Sequence, residues 1–121
     1  NLLKAIYENE QFVDKASISV DQKIVLVISL LEIAAEEYAI GIVNGEVKNK
    51  FEYQDALGFT MMAKNILMDA TTEDKSQKEK LSNIITIVDK LSLLWPELAP
   101  KSNVNGDAKA ILDAIAEIKN I

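Results

Sequence analysis

Apolar side chains recur at intervals of three and four residues along most of this chain, which is the spacing of amphipathic helices. The alternation of apolar and polar residues that is typical of strands is missing before the prolines Pro96 and Pro100. The pattern predicts four long helices that begin near Ser19, near Asn49, after residues 71–74 and near Asp107. A shorter apolar stripe over residues 2–14 predicts an additional short helix at the N-terminus.

Local signals mark the ends of these helices. Ser19 is followed three residues later by Gln22, which is a capping-box signature, and Asn49 with Glu52 repeats that spacing. The pair Asn44-Gly45 predicts the end of the first long helix, because glycine adopts the left-handed C-terminal cap without steric cost. The two prolines end the third long helix, and residues 101–106 form a loop.

The apolar stripes also predict the core. The first long helix has the widest apolar surface, since Val25 and Leu30 extend its stripe, and we expect it to be the most buried. Methionine is an adaptable filler of irregular gaps, so the three methionines are expected in the core. These are Met61, Met62 and Met68. Trp95 is expected to be a core or rim anchor, and Leu112 a core position of the last helix.

Short connections between amphipathic helices favour antiparallel neighbours. We therefore predict an all-α fold, an up-down antiparallel four-helix bundle with the short N-terminal helix packed across one end. The chain has 121 residues, which suits a single domain over residues 1–121. It begins at Asn1 without a methionine, so we expect a fragment or the mature part of a larger protein.

Composition excludes several classes of function. The net charge is −6, and all 13 basic residues are lysine, which argues against nucleic acid and anionic lipid as partners. Cysteine and histidine are absent, so disulfides, thiolate or imidazole zinc sites and a Ser-His-Asp triad cannot form. The longest apolar run, residues 24–31, is shorter than the roughly 18 residues of a membrane span, so we expect no direct membrane insertion.

The segment around the Asn44-Gly45 turn suggests a family. Its distinctive positions before and after the turn are Glu37, Tyr38, Ile42, Asn44, Gly45, Val47, Glu52, Tyr53, Asp55, Ala56 and Phe59. With these residues the segment resembles the N-terminal extracytoplasmic helical domain of bacterial oxidase-dependent iron permeases, which often carry a cytochrome c module. Ala39 departs from the family pattern, which has proline there, and Ile40 and Gly58 depart from it as well.

The resemblance implies a non-catalytic extracytoplasmic or periplasmic module of an iron-uptake system, tethered to the inner membrane in the full-length protein. Its partners would be a membrane permease or a cytochrome c module of the same system, and iron would be the possible ligand. The family's Arg-Glu-x-x-Glu translocation motif cannot occur here, since the chain has no arginine. This segment is therefore not expected to perform the translocation step.

Acidic residues near the turn are the candidate metal ligands. Glu32 and Glu36 share a helix face, and like charges at that spacing repel each other, so a cation would relieve them. Carboxylate oxygens suit hard cations, including ferric iron. The alternative is a solvated acidic surface, and for Glu52 a capping acid that favours the helix dipole. The predicted metal site consists of Glu37, Glu52 and Asp55, which are also family-matching positions, and Glu46 is placed near enough to converge with them.

Tyr38 and Tyr53 flank the turn, and each is expected to place its ring in the core and its hydroxyl at the rim. Phenolate coordination of ferric iron is the alternative. A rival hypothesis for the whole chain is a free-standing helical protein that binds a partner helix or a lipid in a hydrophobic groove lined by residues 24–31. An enzyme is not expected, because no nucleophile and base form a recognisable pair.

Overall fold

The computed structural model describes residues 18–96 and 107–121, and these ranges form a four-helix bundle. Helix α1 spans Val20–Gly41, α2 spans Lys50–Asp69, α3 spans Lys75–Asp89, and α4 spans Lys109–Lys119. A 3₁₀ helix, Lys90–Leu94, continues α3 toward Trp95. The predicted N-terminal helix and the loop at 101–106 lie outside the described residues.

Helices that follow one another in the chain pack as neighbours, and α4 packs back on α1, which closes the ring of an up-down antiparallel bundle. The most extensive packing joins α1 to α2. The centre of the ring is filled by fully buried residues of all four helices, as the apolar stripes predict. Those with the least exposure include Val27, Leu30, Leu31, Ala34, Ala56, Ala63, Ile84 and Ile111.

The helix starts agree with the capping signals. The Ser19 hydroxyl accepts a hydrogen bond from the amide of Gln22, and the Gln22 side chain accepts one from the amide of Ser19, which completes the capping box. Asn49 accepts bonds from two amides at the start of α2, and Asp74 accepts one from the amide of Gln77 at the start of α3. Each cap satisfies amides that the helix itself leaves without partners.

The predicted end of the first long helix at Asn44-Gly45 is wrong, because the helix ends earlier. Helix α1 ends at Gly41, and the next residues form a small antiparallel hairpin of β1, Ile42–Val43, and β2, Glu46–Val47. Its two-residue turn has Asn44 at φ 53° and Gly45 at φ 81°. Positive φ at both positions is the requirement of a type I′ hairpin turn, which Asn-Gly satisfies as readily as it satisfies a helix cap.

Several predicted core positions are instead exposed. Val25 on α1 is 64% exposed and Leu112 on α4 is 54% exposed, so each lies on the outer side of its helix. Met61 and Met68 are 55% and 61% exposed, and the prediction that they fill the core is wrong. Trp95 is buried, which confirms it as a core anchor.

Candidate metal site at the α1–α2 junction

The three predicted ligands lie together where α1 ends and α2 begins. One carboxylate oxygen from each of Glu37, Glu52 and Asp55 lies within 4.8 Å of the other two. Glu37 comes from the last part of α1, and the other two come from the first turns of α2. Two helices that are antiparallel neighbours thus bring acids separated by 15 or more positions in the sequence to one point.

Backbone contacts at the hairpin set this meeting. The carbonyl oxygen of Gly41 accepts hydrogen bonds from the amides of Lys48 at 2.7 Å and Asn49 at 3.2 Å. The Asn49 side chain then accepts from the amides of Phe51 and Glu52 at 3.1 and 3.2 Å. The end of α1 is thereby bonded to the residues that start α2, and the position of Glu52 relative to α1 is fixed by main-chain atoms.

Burial at the cluster is uneven. Glu37 and Glu52 are partly buried, and Asp55 is exposed, so the cluster opens to solvent on the Asp55 side. The Oε2 atom of Glu37 is shielded from solvent and has no hydrogen-bond partner among the residues that the structure describes. Buried polar atoms in proteins are almost always partnered, and an unpartnered charged one is costly. A cation bound by the Glu37 carboxylate would offset this cost.

No lysine offsets the cluster within residues 18–96 and 107–121, since the ion pairs there involve other acids. Three carboxylates close together repel one another when they are ionised, and both the repulsion and the unpartnered oxygen favour a positive ligand. Carboxylate oxygens are the ligands that hard cations prefer. The residues present therefore fit a hard metal ion.

The other predicted acids do not join the cluster. Glu32 and Glu36 are exposed on a different face of α1, and Glu32 lies 3.9 Å from the ammonium of Lys119 on α4. Glu46 is paired with Lys48 at 2.7 Å, and the hydrogen bond and positive charge of that lysine lower the pKa of Glu46. The expectation that Glu46 converges with the cluster is not met, because the hairpin gives it a partner of its own.

An aromatic cluster supports the junction from inside. The rings of Tyr38 and Trp95 meet edge to face with centroids 5.3 Å apart, and Tyr53 lies 5.8 Å from Tyr38 and 6.4 Å from Trp95. The Trp95 indole donates a hydrogen bond of 2.8 Å to the Tyr53 carbonyl. Tyr38 directly follows Glu37 in the chain, and Tyr53 directly follows Glu52, so the same packing fixes both partly buried acids.

The predicted rim position of the two tyrosine hydroxyls is wrong. Both side chains are fully buried, and both hydroxyls donate to the carbonyl oxygen of Leu94, at 3.0 Å from Tyr38 and 3.4 Å from Tyr53. Leu94 ends the 3₁₀ helix, so its carbonyl lacks a helical partner and is satisfied by these hydroxyls instead. Burial, and then the neighbouring Tyr53 and Asp107, raise the pKa of the Tyr38 phenol, which disfavours the phenolate needed for iron coordination.

An open groove of about 610 Å³ lies between α1 and α4, lined mainly by small and apolar side chains with Glu32, Glu36 and Lys119 at its polar edge. It does not involve the apolar run that the sequence placed in a groove. Ile24, Val27, Leu30 and Leu31 within that run are buried in the bundle core. The hypothesis of a groove lined by residues 24–31 is therefore wrong.

Two features of the junction escaped the sequence analysis. Gly41 is buried against α2. In the sequence it is only a small residue one helical turn after Glu37, which does not predict that contact. The Leu94 carbonyl has no side-chain signal at all, because its role depends on where the 3₁₀ helix ends. Both features arise from backbone atoms that approach one another across the bundle.

The chain was matched by a family model, which relates this fold to known proteins. The family model described as the iron permease-associated 4-helix bundle domain matches residues 13–121. The chain belongs to this family. No curated protein and no solved structure matches the chain. Membership confirms the predicted fold and the association of this bundle domain with iron permeases.

Among the described helices of this bundle domain, none is both long enough and apolar enough to cross a lipid bilayer.

Proposed function

We propose that this bundle domain is a non-catalytic extracytoplasmic module of an iron-uptake permease system that captures ferric iron weakly through Glu37, Glu52 and Asp55. The observation that carries the proposal is the buried Glu37 Oε2 atom, which lacks a hydrogen-bond partner in the described structure and so favours a positive ligand at the carboxylate cluster. Family membership supplies the iron-permease context. Iron is the cargo in this proposal, and the domain carries out no reaction on it.

The donor set favours a hard cation. Three carboxylate oxygens supply a high negative charge and no soft atom, and the chain contains neither histidine nor cysteine. Ferric iron is small, hard and highly charged, so it gains more than a divalent ion from three carboxylates. Three protein ligands leave further coordination positions for water or for an accompanying carboxylate such as citrate.

The same geometry supports weak rather than permanent binding. Asp55 is exposed, so water reaches the cluster and competes for the ion. A site that opens to solvent on one side suits capture followed by release, which is what transfer to a permease requires. We propose that the recipient is the permease or a cytochrome c module of the same system, on the outer side of the inner membrane.

The chain contains a natural reporter for this site. Trp95 is its only tryptophan, and its ring contacts Tyr38 and bonds to the Tyr53 carbonyl, the residues next to Glu37 and Glu52. Ferric citrate should quench Trp95 fluorescence in a saturable manner, and titration calorimetry should give a matching affinity. Citrate alone and calcium provide the controls for the carrier and for a larger divalent ion.

Matched variants locate the binding. Glu37→Gln should lower the affinity for ferric iron by at least about tenfold, as loss of metal-supporting groups commonly does, while Glu36→Gln should leave it unchanged. The two glutamates are adjacent, but only Glu37 belongs to the carboxylate cluster. The proposal fails if millimolar ferric citrate produces neither heat nor quenching, or if both variants bind like the parent chain.

A further inference from the structure

Gly41 occupies the closest approach between α1 and α2. A Cβ atom at this position would lie 2.6 Å from the backbone nitrogen of Tyr53, 2.9 Å from its Cα atom and 3.0 Å from the carbonyl oxygen of Asn49. All three neighbours are backbone atoms, so no side-chain rotation can relieve the overlap. The glycine is required here for space, since its φ is not positive.

This contact lies beside the carboxylate cluster. Gly41 follows Glu37 by four residues, which places both on the same face of α1. On α2, Tyr53 lies between Glu52 and Asp55 in the sequence. The backbone contact therefore sets the distance between the two helices at the point where their acids meet, and any side chain at Gly41 must push them apart there.

Ion size makes that distance important. Two oxygens on opposite sides of a cation are separated by twice the metal–oxygen distance, about 4.1 Å for an ion the size of Mg²⁺ and about 4.8 Å for Ca²⁺. The three oxygens of the cluster lie within 4.8 Å of one another, which is close enough for a single ion to contact all three. A few tenths of an ångström of added separation would favour larger ions over smaller ones.

We propose that Gly41 is a positioning residue that makes the cluster selective for small hard cations, by holding α1 and α2 in backbone contact beside the acids. This inference rests on the proposed metal-binding function of Glu37, Glu52 and Asp55. Gly41 itself offers no ligand atom. Its effect is to fix the separation of the oxygens that coordinate the ion.

Two trivalent ions of different size test the proposal, because equal charge removes the electrostatic difference between them. Gallium is small and close to ferric iron in size, whereas terbium is larger and is detected by luminescence sensitised by nearby aromatic rings. Gallium, supplied as its citrate, is followed by Trp95 fluorescence and calorimetry. The measured quantity is the ratio of the gallium affinity to the terbium affinity in each variant.

Gly41→Ala should lower the gallium affinity by about tenfold or more, in line with other groups that orient metal ligands, and should lower the terbium affinity much less. The matched control is Gly58→Ala, since Gly58 also lies in a helix but has no atom within 4 Å of an added Cβ. That control should leave both affinities and their ratio unchanged. A purely structural role for Gly41 would weaken both ions equally and leave the ratio as it is in the parent chain.

The outcomes separate this inference from the proposed function. A parent chain that binds neither ion contradicts the proposed function, whereas a parent chain that binds gallium with a ratio that Gly41→Ala does not change contradicts only the role of Gly41. If Gly41→Ala alone folds poorly, the double variant with Gly58→Ala restores helix stability, since alanine is the better helix former. A double variant that remains unfolded by circular dichroism would also overturn the inference, which requires a folded bundle with displaced acids.

Discussion

Helix α1 carries acids on two faces, and the two faces differ in every respect that determines whether an acid binds a cation. On the face toward α4, Glu32 and Glu36 are exposed, and Glu32 lies near Lys119. On the face toward α2, Glu37 is partly buried, one of its oxygens lacks a partner among the described residues, and two further acids lie within 4.8 Å. Glu36 and Glu37 are consecutive residues of α1, yet the first is a solvated acid and the second is a candidate metal ligand.

The comparison shows that the number of acids in a segment is a poor guide to a site. Glu36 and Glu37 are adjacent and chemically identical, so local acidity does not distinguish them. The structure divides them because residues one apart on a helix point about 100° away from each other. Burial and convergence with a second helix, rather than local acidity, distinguish the candidate site.

The largest effect should come from neutralising Glu37, the partly buried acid, in the absence of metal. Glu37→Gln should raise the free energy of unfolding by about 1–3 kcal/mol, because it removes a poorly satisfied charge and supplies an amide that can donate to the neighbouring carboxylates. Glu36→Gln should change it by less than about 0.5 kcal/mol, as is usual at exposed positions. Urea unfolding at pH 7 in a chelator measures both, and equal effects would remove the distinction between the two faces.

The second prediction concerns the hairpin that joins α1 to α2. Gly45→Val should lower the free energy of unfolding by about 1–2 kcal/mol, because a β-branched residue resists the left-handed conformation at φ 81°. Gly45→Asn should cost less, since asparagine tolerates this region. Urea unfolding compares the two, and an unchanged stability of Gly45→Val would show that the turn does not have this geometry.

The helix ends show which local structures could be predicted from the sequence and which could not. The capping residues Ser19 and Asn49 could be predicted because each acts on amides two or three positions away. Asn44-Gly45 was ambiguous, because a left-handed helix cap and a type I′ turn require the same backbone freedom. The choice depends on strand pairing between Ile42 and Val47, which a local pattern does not specify.

The candidate site was predictable for a related reason, and its supporting contacts were not. Glu37, Glu52 and Asp55 flank one turn, so antiparallel helices had to place them at the same end of the bundle. The tyrosine hydroxyls were misplaced because their acceptor, the Leu94 carbonyl, lies more than 40 residues away from each of them in the sequence. Met61 and Met68 were misplaced because an apolar residue beside a helix stripe fits either a core edge or the outer surface.

The third prediction uses Tyr38, which directly follows Glu37 and points into the core. Its pKa is raised in the folded protein, so its stabilising contribution is complete below the ordinary tyrosine pKa near 10 and is lost as the pH rises above it. Tyr38→Phe should lower the free energy of unfolding at pH 7 by about 0.5–1.5 kcal/mol, through loss of the bond to Leu94.

The same variant should lose less stability than the parent chain between pH 9 and pH 11, roughly the range in which an unperturbed tyrosine ionises. Lysines also titrate there, but they are common to both chains and cancel in the difference. Urea unfolding across this range measures the difference. Parallel losses in the two chains would show that Tyr38 ionises as easily in the folded state as in the unfolded state, in conflict with its burial.

The smallest effect should come from Glu46, the acid near the junction that has its own cation. Lys48 lowers the pKa of Glu46, so the pair stabilises the folded state above the ordinary glutamate pKa and loses that contribution as the pH falls through the lowered value. Glu46→Gln should therefore be slightly less stable than the parent chain at pH 7 and equal to it in acid, and salt should reduce the difference because the pair is exposed. Thermal unfolding at pH 7 and pH 3 measures this change in stability. Glu46→Gln is expected to lower the stability at pH 7, whereas Glu37→Gln is expected to raise it. If Glu46→Gln gained as much stability as Glu37→Gln, the difference between the two acids would not come from the lysine partner and the solvent exposure of Glu46.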